Sequence, residues 1–330
     1  MKAKLHNFFH YFVYIALPVI AFVYLLFVFN KKKSDFSLPE MFFQVPGYVI
    51  VISLIGLVFL GVLSWIVEAY KWKYLLKPHY SLSVAESTKI VLAGLSLGLL
   101  TPKRAGEWFS RAAFVPTQIR WQAILQTFIG SISQLLVTII FGIGSLILVF
   151  FVYSKQNEAL ITDYLQFLLP VLLVIGIIVM LVFRSKFIQF IEKKIPGVEA
   201  GEIRKSFTGK SFKGALLLSS IRYLIFSLQF VLTLVLFGCS LSVFLILLGV
   251  CIVYLFLTLM PLSFIGDTVV RGPVAVFVFT DFFPLLIPHS IASSQSAGVL
   301  SATMLIWFIN ILLPALIGII ASFTLKLQKA

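Results

Sequence analysis

An acidic residue stands four positions before an arginine in a short motif of this chain, where Gly106-Glu107 is followed by Arg111. On a helix this spacing places the carboxylate beside the guanidinium, in the favourable order with the acid first. In such a pair the carboxylate can orient the arginine so that it binds an anion, or the arginine can orient the carboxylate so that it exchanges a proton. Because ion pairs are costly in apolar surroundings, these residues are candidates for function or, alternatively, for fixing helix packing.

The same pattern recurs near the C-terminus, where Gly266-Asp267 is followed by Arg271. Each copy follows an apolar stretch and a proline. The agreement indicates the remnant of an internal repeat, with possible halves 1–183 and 214–325 joined by a basic connector, 184–213, in one transmembrane domain.

A cationic turn precedes the first motif. Thr101 and Pro102 suit the N-cap and first position of a helix, and Lys103 and Arg104 follow them. Positive side chains oppose the helix dipole there, which makes sense if an anion binds at this turn. A lipid phosphate fits, and the alternative is that both residues are ordinary cytoplasmic anchors.

Motifs for the common catalytic mechanisms are missing from the sequence. It contains no P-loop, no His-Glu-x-x-His and no Gly-x-Ser-Gly, and Phe264-Ile265-Gly266-Asp267 lacks the first glycine of an intramembrane aspartyl protease motif. No catalytic residue, metal or cofactor is therefore predicted.

The elements that position these motifs must be membrane helices. Hydrophobic residues make up 60% of the chain, charged residues make up 12%, and the mean hydropathy is +1.08, which excludes a water-soluble fold. We predict an all-α polytopic membrane protein with about eight crossings. The predicted crossings are 8–29, 48–67, 123–152, 162–183, 214–237, 241–260, 274–288 and 299–325. The apolar run 90–100 has about half the length that a membrane crossing requires, and it is expected to be re-entrant.

One predicted crossing carries polar and small residues at fourfold spacing, and these share a helix face. They are Gln122, Gln126, Gly130, Gln134, Thr138 and Gly142. The face is either a packing seam or the wall of a polar cavity.

The chain has a net charge of +14, and its basic residues flank apolar runs instead of forming one polar domain. Anionic lipid is therefore the expected partner, and nucleic acid is not. The distribution of Lys and Arg predicts cytoplasmic N- and C-termini in the cell inner membrane.

The motifs resemble those of the lysylphosphatidylglycerol synthase transmembrane-region, or flippase-like, family, and the resemblance covers essentially the whole chain. The matching residues are Pro102, Arg104, Gly106, Glu107 and Arg111 in the first element and Ser263, Gly266 and Arg271 in the second. The second element departs from the family pattern at Asp267, Val269 and Gly272.

The resemblance implies lipid translocation without the aminoacyl transferase domain of bifunctional members. The expected function is a translocase or binder of an anionic phospholipid or polyprenyl phosphate. The candidate binding residues are Lys103, Arg104, Gly106, Glu107, Arg111, Gln122, Gln126, Gln134, Ser263, Gly266, Asp267 and Arg271. Two alternatives are a membrane-embedded transferase on a lipid-linked substrate, with Glu107 or Asp267 as base, and a non-catalytic scaffold.

The orientation can be tested by cysteine labelling from outside the cell. Lys194→Cys is expected to stay unlabelled, because position 194 is placed in the cytoplasm, and Lys33→Cys is expected to react, because position 33 follows the first crossing and is placed outside. Labelling of Lys194→Cys would contradict this orientation. If the two motifs form an inverted pair instead, the C-terminus is external and Lys329→Cys reacts.

Overall fold

The computed structural model describes residues 46–99, 101, 106–153, 209–239, 241–260, 264–283 and 296–325. These residues form helices, and no strand occurs among them. The helices are α1 Gly47–Leu76, α2 Val84–Leu99, α3 Gly106–Ala113, α4 Arg120–Tyr153, α5 Lys210–Leu236, α6 Val243–Leu259, α7 Phe264–Val276, α8 Ser296–Trp307 and α9 Leu313–Thr324. A 3₁₀ turn, Thr117–Ile119, precedes α4, and π-helical turns Phe277–Phe282 and Phe308–Leu312 follow α7 and α8.

The protein is an all-α polytopic membrane protein. Within the described ranges, four helical stretches are long and apolar enough to cross a membrane, and they correspond to α1, α4 with its leading turn, α5, and α8 continued by α9. The apolar helix α6 has 17 residues and α2 has 16. The predicted crossings 8–29 and 162–183 lie outside the described residues, as does most of the connector 184–213.

Helix α1 ends at Leu76, whereas the sequence predicted a crossing that ends at Val67. The hydropathy pattern stops at Val67 because Glu68 and Lys71 follow it. In the structure these two side chains form an ion pair of 2.7 Å within the helix, and both residues are buried. The helix therefore continues, because its charges find partners inside the protein.

Helix α7 corrects a second prediction. The run 274–288 was expected to cross separately from the second motif, but the helix begins at Phe264 and continues through Pro273. Membrane helices tolerate an internal proline where a local π-helical adjustment gives the freed backbone groups new hydrogen-bond partners. Such a π-helical turn follows Pro273 at Phe277–Phe282. The second motif and the described part of the predicted crossing, 274–283, thus lie in one continuous helical stretch.

A capping box begins α2. Ser83 Oγ accepts a hydrogen bond of 3.1 Å from the backbone N–H of Glu86, and Glu86 Oε2 accepts one of 2.9 Å from the backbone N–H of Ser83. The Ser83 hydroxyl donates to the same oxygen at 2.8 Å. These donors hold the pKa of the exposed Glu86 carboxyl below its usual range.

The chain forms two compact units, each assembled from separate segments. The first unit contains the C-terminal part of α1, α2 except its last residue, all of α3 and α4, the N-terminal part of α5 and most of α9. The second unit contains the N-terminal part of α1, the C-terminal part of α5, and α6, α7 and α8.

Glycines allow α2 to approach its neighbours closely in the first unit. A Cβ atom at Gly94 would lie 2.6 Å from Arg111 Cγ, and one at Gly98 would lie 2.9 Å from Glu107 Cβ. Small residues spaced four apart are typical of close helix packing in membranes. The Ser110 hydroxyl adds a hydrogen bond of 3.2 Å to the Gly94 carbonyl, so α2 sets the position of the short helix α3.

Buried amide side chains connect helices in the second unit. Gln229 Nε2 donates to the Leu57 carbonyl at 2.7 Å, and Asn310 Nδ2 donates to Gln229 Oε1 at 2.7 Å. Such interhelical hydrogen bonds satisfy amides that would be costly to bury alone.

The close packing of α9 on α2 predicts the effect of adding a methyl group. Gly318→Ala is expected to lower stability by about 1–3 kcal/mol, because its Cβ would overlap the Leu92 carbonyl oxygen, a backbone atom. Gly144→Ala is the matched control, since nothing lies within 4 Å of a Cβ there. The measurement is the melting temperature in detergent, and equal values for the two variants would contradict the close contact.

Candidate functional site

The carboxylate of Glu68 accepts hydrogen bonds from three cationic side chains in the first unit. Its Oε2 atom lies 2.7 Å from Lys71 Nζ and 3.1 Å from Arg222 Nη1. Its Oε1 atom lies 3.4 Å from both terminal nitrogens of Arg111. One carboxylate therefore joins α1, α3 and α5.

Arg111 also forms a salt bridge with Glu107, which confirms the pairing predicted from the first motif. The Arg111 side chain is 3% exposed, and that of Glu107 is 18% exposed. The predicted pair is thus part of a larger group of charges. We call Glu68, Lys71, Glu107, Arg111 and Arg222 the charge cluster.

Lys71 is held by three acceptors, which match the three N–H donors of its ammonium group. Besides Glu68, Nζ donates to the Gly130 carbonyl at 3.3 Å and to Ser219 Oγ at 3.2 Å. The side chain is 2% exposed. Lys71 is therefore fixed in place and has no donor left for another group.

Neutral polar groups of α4 and α5 surround the Lys71 ammonium. The hydroxyls of Ser133 and Ser219 lie 2.8 Å apart, and Ser133 Oγ donates to the Gly130 carbonyl at 2.8 Å. Gln134 Nε2 donates to the Ser219 carbonyl at 3.5 Å. Two members of the polar stripe, Gly130 and Gln134, thus contact α1 or α5, as the packing-seam interpretation expects.

Two tryptophans of α1 lie against the arginines. The Arg222 Cζ atom is 5.0 Å from the centre of the Trp65 ring, and the Arg111 Cζ atom is 6.0 Å from that of Trp72. Trp72 is fixed by a hydrogen bond of 2.8 Å from its Nε1 to Thr127 Oγ1. The negative faces of the aromatic rings attract the guanidinium groups.

The charge cluster carries one more cation than it carries anions. Lys71, Arg111 and Arg222 give +3, and Glu68 and Glu107 give −2, so the sum is +1. Within the part of the chain that the structure describes, the Nε atoms of Arg111 and Arg222 are buried and have no hydrogen-bond partner. Glu107 and Arg222, each 18% exposed, are the two most accessible members.

The second motif also forms its predicted ion pair, in the second unit. Arg271 Nη2 donates to both oxygens of Asp267, at 2.8 Å and 3.0 Å. The two side chains are 15% and 20% exposed. This pair is neutral by itself, unlike the charge cluster of the first unit.

The other predicted site residues have varied environments. Gly106 begins α3, Gly266 lies in α7, and Gln126 is buried. Gln122 is partly buried, and its Oε1 atom has no hydrogen-bond partner among the described residues. Predicted site residues outside the described ranges are Lys103, Arg104 and Ser263. The described residues contain no group of three or more His, Cys, Asp or Glu side chains that could hold a metal ion.

Glu68 and Lys71 were not predicted as site residues from the sequence. The apolar run ends at Val67, so both residues fall between the predicted crossings 48–67 and 123–152. Two signals were available, namely their i, i+3 spacing between Trp65 and Trp72, and the single arginine of a crossing, Arg222, which needs an acidic partner.

Comparison of this chain with protein-family models, with curated proteins and with solved structures finds no match.

The number of cations around Glu68 predicts its importance for folding. Glu68→Gln is expected to lower stability by about 3–5 kcal/mol, because the buried Lys71 and Arg111 and the partly buried Arg222 would lose their shared carboxylate. Glu86→Gln is the control: it also removes one negative charge, but from an exposed position where glutamine can still cap α2. Melting temperatures in detergent measure the difference, and similar values for both variants would show that the cluster does not need the Glu68 charge.

Proposed function

We propose that this membrane protein binds an anionic lipid through its phosphate at the charge cluster and moves that lipid between leaflets. The observation that carries the proposal is the surplus cation of a largely buried cluster. A buried charge without a counter-charge is costly, and guanidinium groups stay protonated, so an anion is the natural way to compensate it.

The chemistry of the surplus cation favours phosphate. Arginine presents N–H donors in a planar fork that matches the oxygens of phosphate or carboxylate. In a membrane protein, the most abundant phosphate groups nearby are those of the lipids themselves. The partly exposed Arg222 would contact the phosphate first, while Glu68 and Lys71 hold the arginines in position.

Glu107, the second carboxylate of the charge cluster, orients Arg111 in this proposal. Its salt bridge to Arg111 supports that role.

The resemblance of the Pro102 to Arg111 segment to the flippase-like family supports translocation over a transferase reaction. In this proposal the protein lies in the cell inner membrane with both termini in the cytoplasm, which places the basic segments beside the anionic leaflet.

Arg222→Gln tests the site directly. The variant is expected to lose at least about tenfold in retained anionic lipid, since a hydrogen bond to a charged group contributes about 1.5–3 kcal/mol. Native mass spectrometry of the purified protein measures bound lipid, and translocation of a labelled anionic lipid in liposomes measures the activity.

The matched control is Lys213→Gln, which removes one positive charge from the same helix at an exposed position. It is expected to retain lipid like the wild type. Arg222→Lys keeps the positive charge but loses the planar guanidinium group, and it is expected to retain an amount of anionic lipid between those of the wild type and Arg222→Gln. A folded Arg222→Gln protein that keeps both lipid and activity would refute the proposed site.

A further inference from the structure

We infer that the charge cluster selects lipids whose phosphate is a diester with a single negative charge, and discriminates against phosphate monoesters, which carry up to two. This inference rests on the proposed function and specifies the ligand class of the same site. The charge sum of the cluster supports it.

The charge sum favours a monoanion. The ionisable members come from α1, α3 and α5, and they sum to +1. The groups of α2 and α4 that contact them are neutral, namely the backbone at Gly94 and the Gly130 carbonyl. A monoanion therefore brings the site to neutrality, whereas a dianion leaves a net charge of −1 in a largely buried place, where an uncompensated charge of either sign is costly.

The free donors of the cluster belong to its arginines. The Lys71 ammonium uses all three N–H groups on protein acceptors. Arg222 uses one of its five N–H groups on Glu68, and the buried Nε atoms of Arg111 and Arg222 have no hydrogen-bond partner among the described residues. A phosphate bound at the cluster would therefore accept its hydrogen bonds from guanidinium groups.

This selectivity has a characteristic pH dependence. A phosphate monoester has a second pKa of about 6, so at pH 8 only about one molecule in a hundred is a monoanion. A diester stays a monoanion throughout this range. Binding of the monoester is therefore expected to fall by up to about tenfold for each pH unit above 6, and binding of the diester is expected to stay constant.

The test compares two lipids that differ by one methyl group. Purified protein is equilibrated with vesicles that contain phosphatidylmethanol, a diester, or phosphatidic acid, a monoester, with identical acyl chains, and phosphatidylcholine is the zwitterionic reference. Bound lipid is counted by native mass spectrometry at pH 6 and pH 8. We expect phosphatidylmethanol to be retained equally at both pH values, and phosphatidic acid to lose tenfold or more at pH 8.

A charge-shifting variant tests the physical cause. Glu107→Gln raises the charge sum to +2 and still offers Arg111 a hydrogen-bond acceptor, so it is expected to recover phosphatidic acid binding at pH 8. Glu86→Gln also removes one negative charge, but from the exposed cap of α2, outside the charge cluster. This variant is expected to bind both lipids like the wild type. A folded Glu107→Gln protein with unchanged preference would overturn the electrostatic basis.

The outcomes separate this inference from the proposed function. If the wild type binds phosphatidic acid as well as phosphatidylmethanol at pH 8, and both above phosphatidylcholine, the diester preference is wrong and the phosphate site stands. If neither anionic lipid binds above phosphatidylcholine at either pH, the proposed function itself fails.

Discussion

The first compact unit depends on the Glu68 carboxylate. Ionised side chains in apolar surroundings need opposite charges within hydrogen-bond distance, and Glu68 supplies this to Lys71, Arg111 and Arg222 at once. Because these cations belong to three helices, the packing of α1, α3 and α5 is tied to one pair of oxygen atoms. The same arrangement leaves one cation more than the carboxylates can neutralise, which connects the folding of the unit to its proposed ligand.

Small residues make this arrangement possible. Gly94 and Gly98 let the backbone of α2 approach the Glu107–Arg111 pair, and Gly130 leaves its carbonyl open to the Lys71 ammonium. In a membrane, helices gain little from hydrophobic association, so close contact and interhelical hydrogen bonds must supply much of the stability. The glycines and the charges therefore act together, since the ion pairs need short distances that larger side chains would prevent.

The two similar motifs have different electrostatic roles. Asp267 and Arg271 form a neutral pair, in which Arg271 Nη2 donates to both carboxylate oxygens and the two charges balance each other within about one turn of α7. Glu107 and Arg111 have the same spacing, but Arg111 is shared with Glu68, so the pair belongs to a cluster with a surplus charge. The surroundings of a motif, more than its spacing, thus decide whether it has capacity for an anion.

The sequence by itself determined the class of the protein, its long apolar helices and the two acid–arginine pairs, because hydropathy and i, i+4 spacing are local properties of the chain. It misplaced the end of α1, since Glu68 and Lys71 look like solvated residues until their partners are known. The tertiary structure alone decided that Glu68 meets Arg111, 43 positions away, and Arg222, 154 positions away. Such contacts depend on which helix faces pack together, and no spacing along the chain encodes that choice.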